Sequence, residues 1–544
     1  MNMLCWILLA VAAAAAGEDK ARDLTPKAPR FTFGTALAEQ EAQLKDNPLL
    51  RHFREARQKQ AQDPFRPLYH FCSPEAPLND PNGLCFWQGR WHLFYQTKPP
   101  EDNRWHWAHT VSDDLIHWRD LPYALYPNPE EQCYSGATFV EKDRVIAMYH
   151  GRELGNMVAV SKDPLLLNWE KVTGTAVLPL VQDGKRHHFL SSEPLPYRLY
   201  DPCIWSKDGV YYSLSGSVDY SGPAGKPVMA EFLFRSKDLA HWEFMHPFVD
   251  GQRFTSIGDD GACPYFWPIG GRHILIFFSH TSSGQYLLGD YDKEHDKFLP
   301  TSHGRFCFGY ELPGGVQAPT ATPDGKGGLI AFLDMNGAIP AKKNDGMMTL
   351  PRRLTLAGSD ELCQEPAGDI ESLRGAHQHL GSTALPPNRE LVFPEVHGNA
   401  MEIEAEIDAK DAPLVELDVL RSANAEEVTR ITLQKNRRVT SRFMPPQRKL
   451  DMVTLDNGRS SLLPEVLSRP PETAPVLLPE GEPFKLRIFI DRSIVEVFVN
   501  NRQCLALRVH PSRPDSTGIS LRAQGSEARL VSLDAWQMKS CYAP

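Results

Sequence analysis

Two aspartates stand out for the chemistry they make available. Asp80 lies in Asn79-Asp80-Pro81-Asn82-Gly83, and Asp201 in Tyr200-Asp201-Pro202. In each, a proline fixes the backbone just after the carboxylate, and around Asp80 the Asn and Gly residues permit a tight turn that can hold the acid in a set direction. Cleaving a glycosidic bond needs two carboxyl groups: in the retaining form one attacks the anomeric carbon and the other protonates the departing oxygen. Taken singly, each residue is an ordinary turn aspartate. The case for chemistry rests on their equivalent places in a repeat.

Five segments share that repeat: Asn79 to Thr97, Ser135 to Gly151, Asp201 to Ser217, Cys263 to His280 and Ala318 to Asn336. Each opens with a polar or proline-containing turn and continues as an apolar strand, a tight turn and a second apolar strand rich in aromatics. The spacing, roughly 55–65 residues, is longer than a common blade repeat but equally regular. The reading is an all-β chain, a five-bladed β-propeller followed by a C-terminal β-sandwich. In a propeller the innermost strands surround one central opening, so the polar groups of the blade-opening turns converge there. A second recurrence, SDDLIHW, SKDPLLLNW and SKDLAHW from Ser112, Ser161 and Ser236, reads as structural: a Ser or Asp that heads a turn, and a Trp that anchors the blade. Alternating stretches such as Ala400 to Asp408 and Phe484 to Asn500 indicate the sandwich, with residues 441–475 as a Pro- and Arg-rich loop. Within it, Asp491 and Glu496 are assigned to structure.

The expected organisation is a signal peptide at 1–17, an extension at 18–65 with an amphipathic helix near 36–59, a propeller at 66–362, a linker at 363–379 and the sandwich at 380–544. The apolar run from Leu4 to Ala16 implies export, and so a secreted or periplasmic protein with no membrane-spanning segment in the mature chain. A formal net charge of −10 over 544 residues leaves no basic field for nucleic acid, whereas a neutral sugar is compatible. Ten cysteines without metal-type spacing define neither a zinc site nor a disulfide framework, and nothing fixes the oligomeric state.

The run HFCSPEAPLNDPNGLCFWQGRWHLFYQ, then HWAHTVSDDLIHW and YSGATFV, resembles the amino-terminal half of the family 32 glycoside hydrolases, which include invertases, levanases and inulinases. The resemblance continues through MTLPRRLTL at Met348 and IDRSIVEVFVN at Ile490. It implies a retaining β-fructofuranosidase without metal or organic cofactor that acts on sucrose or fructans through a covalent fructosyl-enzyme. Asp80 would be the nucleophile and Asp201 the residue that holds the ring hydroxyls and favours the transition state. Asn79, Gln96, Trp107, Tyr134 and Ser135 would contact the carbohydrate substrate. His109 is as compatible with a structural role as with a substrate contact.

Two departures accompany the match. The family's Arg-Asp-Pro is Tyr200-Asp201-Pro202 here, with Arg198 nearby as a replacement cation. The family's acid/base Glu before a Cys-Pro pair is Ala262, which cannot transfer a proton. Residues two apart on a strand share a face, so Asp260 is the expected replacement, with Asp259 and Glu193 as alternatives. Two other readings stay open: a carbohydrate-binding protein on a hydrolase scaffold, and a propeller glycosidase for another furanoside.

Overall fold

A computed structural model describes residues 24–542 except 76, 192, 252–253, 311, 340–345, 438–449 and 468. The expected signal peptide lies outside the described residues. Two short helices lead in, Leu37–Lys45 and Pro48–Gln60. The single amphipathic helix expected here is divided because Asn47 caps a new helix, accepting from the amides of Leu49 and Leu50, with Pro48 in its first turn. Leu49, Leu50 and Phe53 are buried, and Arg57 makes two hydrogen bonds to Asp120, so the extension is fastened to the first blade.

Five antiparallel sheets follow, each begun by one of the repeated hairpins. Their first strands are Leu78–Trp87, Cys133–Val140, Pro202–Lys207, Ala262–Ile269 and Val316–Pro323, and their second strands Arg90–Thr97, Val145–Gly151, Val210–Asp219, Arg272–Ser279 and Leu329–Met335. Each sheet then adds a third and a fourth strand outward. The five first strands pack against one another in a closed ring, the last returning to the first, which is the propeller. Between third and fourth strands, three blades repeat one turn: Ser112, Ser161 and Ser236 head it, Leu115, Leu166 and Leu239 take positive φ, and the indole of Trp118, Trp169 or Trp242 donates to that leucine's carbonyl.

The fifth blade's outer strand is Glu361–Pro366 and the first sandwich strand is Arg374–Leu380. The stretch expected as a linker at 363–379 therefore consists mostly of ordered sheet. Its polar alternation hid strands exposed on one face. The expected loop at 441–475 also contains strands, Leu450–Arg459 and Glu472–Val476; Pro475 sits on an edge strand, where a missing amide costs least. Sheets of seven and six strands close on an aliphatic core that includes Ile403, Leu417, Ile488 and Leu533. No described helix is long and apolar enough to cross a membrane.

Candidate functional site

The blade openings share a local defect. In four blades the pairing of first and second strands skips residues: between Leu78 and Pro81, Cys133 and Gly136, Ala262 and Tyr265, and Val316 and Pro319. In the third blade Tyr200 and Asp201 sit just before the ladder starts at Pro202. Such bulges release residues from the ladder and re-aim their side chains. The released residues Asn79, Asp80, Tyr134, Ser135, Cys263 and Gln317, together with Tyr200 and Asp201, line one cavity of about 280 Å³. Trp105, Phe278 and three second-strand ends, Gln96, His280 and Asn336, complete it.

Asp80 is held from several sides. Ser135 Oγ donates to its Oδ2, Gln96 Nε2 reaches the same oxygen at 3.2 Å, and Asn79 Nδ2 lies 3.0 Å from Oδ1. The Gln96 amide also lies 2.7 Å from Ser135 Oγ and, through its oxygen, 3.0 Å from Asn79 Nδ2, which fixes all three side chains. Behind them Gly83 takes φ +52, and a Cβ there would come within 2.6 Å of Thr138, so only glycine fits this turn. Asp201 is 3 % exposed, with its Oδ1 unpaired. The Cys263 thiol bridges the two acids, 3.7 Å from Asp80 Oδ2 and 3.5 Å from Asp201 Oδ2. Cys263 adopts φ +51, a conformation that costs a side-chain-bearing residue about 1–3 kcal/mol and persists only where its surroundings enforce it.

Burial raises the pKa of Asp80, opposed by the Ser135 hydrogen bond, the nearby His280 charge and the Cys263 thiol. Asp201 is pushed up to about 8, by burial first and then by the charge of Asp80. One site thus holds two carboxyl groups of which one is preferentially protonated at neutral pH, as expected when like charges share a desolvated space.

Asp260 occupies a different place from the one expected. The strand begins only at Ala262, which is fully buried and pairs with Phe278. The preceding residues turn, with Asp259 N bonded to Ser256 O and Gly261 N to Ser217 O. The strand alternation that would have aimed Asp260 into the cavity therefore does not apply. Its two oxygens instead accept from His280, from the amide at 2.9 Å and from Nδ1 at 2.7 Å. Asp259 accepts from Ser256 N, Ser279 Oγ and Ser282 Oγ, a structural arrangement. Glu193 is exposed and outside the cavity lining.

Arg198 is also no replacement cation, since its guanidinium donates to the carbonyls of Ser191, Glu193 and Val218. Trp107 is fully buried away from the cavity; its indole donates to Tyr134 O and so supports the turn that carries Tyr134 and Ser135. Trp105, two residues earlier, is the tryptophan in the lining. His109 stacks on Phe94 and bonds His92, with burial pushing its pKa far down, as befits a neutral structural ring.

His280, Gln317, Asn336 and Phe278 escaped the sequence reading. The signal was present: the second strands of the repeated hairpins end on FYQT, FFSH and LDMN, and Gln96, His280 and Asn336 from those endings all face the cavity. Glu231 was also missed. It is buried with both carboxyl oxygens unpaired, and burial together with Asp260 and Asp201 drives its pKa well up. It packs beneath Gly261, where a Cβ would meet its Oε1 at 2.3 Å. Among the described residues no group of three or more His, Cys, Asp or Glu is placed to hold a metal ion.

The chain matches the family models for the glycosyl hydrolases family 32 N-terminal domain over residues 70–366 and C-terminal domain over residues 369–537. It is 28% identical to the sucrose-6-phosphate hydrolase of Escherichia coli over 516 residues, covering 87% of this chain and 95% of that protein. To the levanase of Bacillus subtilis it is 27% identical, covering 88% of this chain and 71% of the levanase. The fold is similar to the crystal structure of fructan 1-exohydrolase IIa from Cichorium intybus, with a TM-score of 0.74 at 21% identity, covering 88% of this chain and 98% of that one. With a propeller whose centre gathers two aspartates and a sandwich behind it, each half matched by its own model, the chain belongs to glycosyl hydrolases family 32.

Proposed function

We propose that the protein hydrolyses β-fructofuranosidic bonds in sucrose or fructans with retention of configuration, Asp80 being the nucleophile. One observation carries the reading: Asp80 and Asp201 meet across the Cys263 thiol on the floor of a single cavity. Asp80 attacks the anomeric carbon as a carboxylate, aimed by the donors Ser135, Gln96 and Asn79, the Ser135 hydrogen bond opposing the burial that raises its pKa. Asp201, protonated or sharing a proton, hydrogen-bonds ring hydroxyls more strongly as positive charge builds on the sugar. Trp105 offers an apolar edge and Tyr200 an aromatic face. The names of the relatives, which cleave sucrose phosphate and levan, support the substrate class. Fructose release from sucrose, inulin and levan by purified protein, with Asp80→Asn as control, tests it. Release abolished by that substitution is the expected result. No release from any of the three by the unmodified protein would overturn it.

A further inference from the structure

We propose that His280 is the proton donor and acceptor of the reaction and that Asp260 positions it. The assignment rests on the retaining reading above, which leaves a departing oxygen without a donor once alanine occupies position 262.

The cavity lining narrows the choice. Asn79, Gln96, Trp105, Ser135, Phe278, Gln317 and Asn336 carry no group that titrates near neutrality. Burial pushes the phenols of Tyr134 and Tyr200 and the thiol of Cys263 upward, away from useful exchange. Beyond Asp80 itself, Asp201 and His280 remain. Asp201 is almost wholly buried beside the nucleophile, whereas the His280 side chain is 52% exposed at the rim. The leaving group of a fructoside bound over Asp80 must point toward solvent, which is where His280 stands.

Its geometry is that of an oriented acid. Asp260 accepts from Nδ1, so this nitrogen carries a proton and the exchangeable site is Nε2, on the opposite edge of the ring and bonded to no described protein group. Phe278 packs edge-on at 5.0 Å and the Tyr200 ring lies at 6.3 Å, which restricts rotation. The groups that face the imidazole are the carboxyls of Asp260, Asp201 and Asp80, the Tyr200 phenol and the Cys263 thiol. Burial disfavours the charged ring, but the hydrogen bond and charge of Asp260, with smaller contributions from Asp201 and Asp80, outweigh it and raise the pKa to about 9. A neighbouring carboxylate that orients and charges a histidine is a general acid–base arrangement.

The proton balance closes. As an Asp80 oxygen bonds the anomeric carbon, the glycosidic C–O bond breaks, its electron pair goes to the departing oxygen, and that oxygen takes the Nε2 proton. The ester at Asp80 has lost the negative charge that helped hold His280 protonated, so the ring is left a better base for the second half. It then removes a proton from water, whose oxygen bonds the anomeric carbon while the ester electron pair returns to Asp80. Free carboxylate and imidazolium are restored.

The test compares sucrose, whose leaving oxygen needs a proton, with β-fructofuranosyl fluoride, whose leaving group does not. In His280→Gln, sucrose turnover should fall about 10²–10⁴-fold, while fluoride release continues as a burst. The Asp80 ester should accumulate in intact-protein mass spectra, and azide should restore turnover. In Asp260→Asn the alkaline limb of kcat/KM should move to lower pH, because the imidazole loses its strongest charging partner. Unchanged sucrose turnover in His280→Gln, or equal loss of both substrates by a protein with normal unfolding behaviour, would overturn the assignment; so would an unmoved alkaline limb in Asp260→Asn. If the unmodified protein releases neither fructose nor fluoride, the retaining reading itself falls and this role with it, whereas active wild type with unaffected variants removes the role of His280 alone.

Discussion

Asp491 and Asp201 are both buried aspartates in the same chain, yet their surroundings are opposite. Asp491, where sandwich meets propeller, accepts from the amides of Leu68, Tyr69 and His70 and from His70 Nδ1, all between 2.7 and 2.9 Å. Asp201, at the propeller centre, has one oxygen beside a thiol and the other unpaired. A carboxylate reached by four donors is pinned in place and fastens two domains. One that is underserved has its ionisation displaced and is held ready for a ligand to complete it.

The comparison breaks most sharply at Asp80. Asp80→Asn should lower kcat by about 10⁴–10⁶-fold, with thermal unfolding unchanged or improved; activity within tenfold of wild type would remove Asp80 from the chemistry. Asp491→Ala should do the reverse. Four donors lose their acceptor inside a buried seam, so stability should drop by about 3–5 kcal/mol, read in denaturant unfolding, while kcat per folded molecule in the cold stays near wild type.

Asp201→Asn sharpens the contrast through pH. Its carboxyl titrates at about 8 in the folded protein and near 4 when unfolded. Between those values the folded state holds the extra proton, so the wild type loses stability as pH rises, and the loss is complete above about 8. The asparagine variant should therefore gain on the wild type steadily across that window, and the difference should level off above it. A pH-independent difference would show that Asp201 is not held protonated. The smallest expected effect is Ser135→Ala. Loss of its hydrogen bond should raise the Asp80 pKa, shift the acid limb of kcat/KM upward, and cost about tenfold in rate at low pH.

Much of the architecture was legible because hairpins are local. Apolar alternation and turn residues within about twenty positions sufficed to find all five blades, whereas the partly exposed outer strand at Glu361–Pro366 carried no comparable contrast. Asp80, Asp201, Asn79, Gln96, Tyr134 and Ser135 were legible as a group, and all of them line the cavity. Asp260 was placed wrongly because period-two reasoning holds only inside a ladder, and the ladder had not yet begun. His280 lies where a second strand returns to the centre, whereas the Asp-Pro and Asn-Gly turn motifs mark only where first strands leave it. Trp107 marks a limit of another kind: a motif can match while its aromatic ring props up the binding residues from behind.

The bulged openings also bear on how such a protein changes over time. A residue released from the ladder makes no pairing contact, so exchanging it alters the cavity without disturbing the register or packing of its blade. Four bulged sheets and the turn before the third sheet's ladder present residues to the same cavity, and the second strands add more. A group lost from one blade can then be supplied by another, with no rebuilding of either. An alanine at position 262, where the family resemblance implies a glutamate, need not end catalysis in a molecule of this design; the burden can fall to a neighbouring strand end that already carries suitable chemistry.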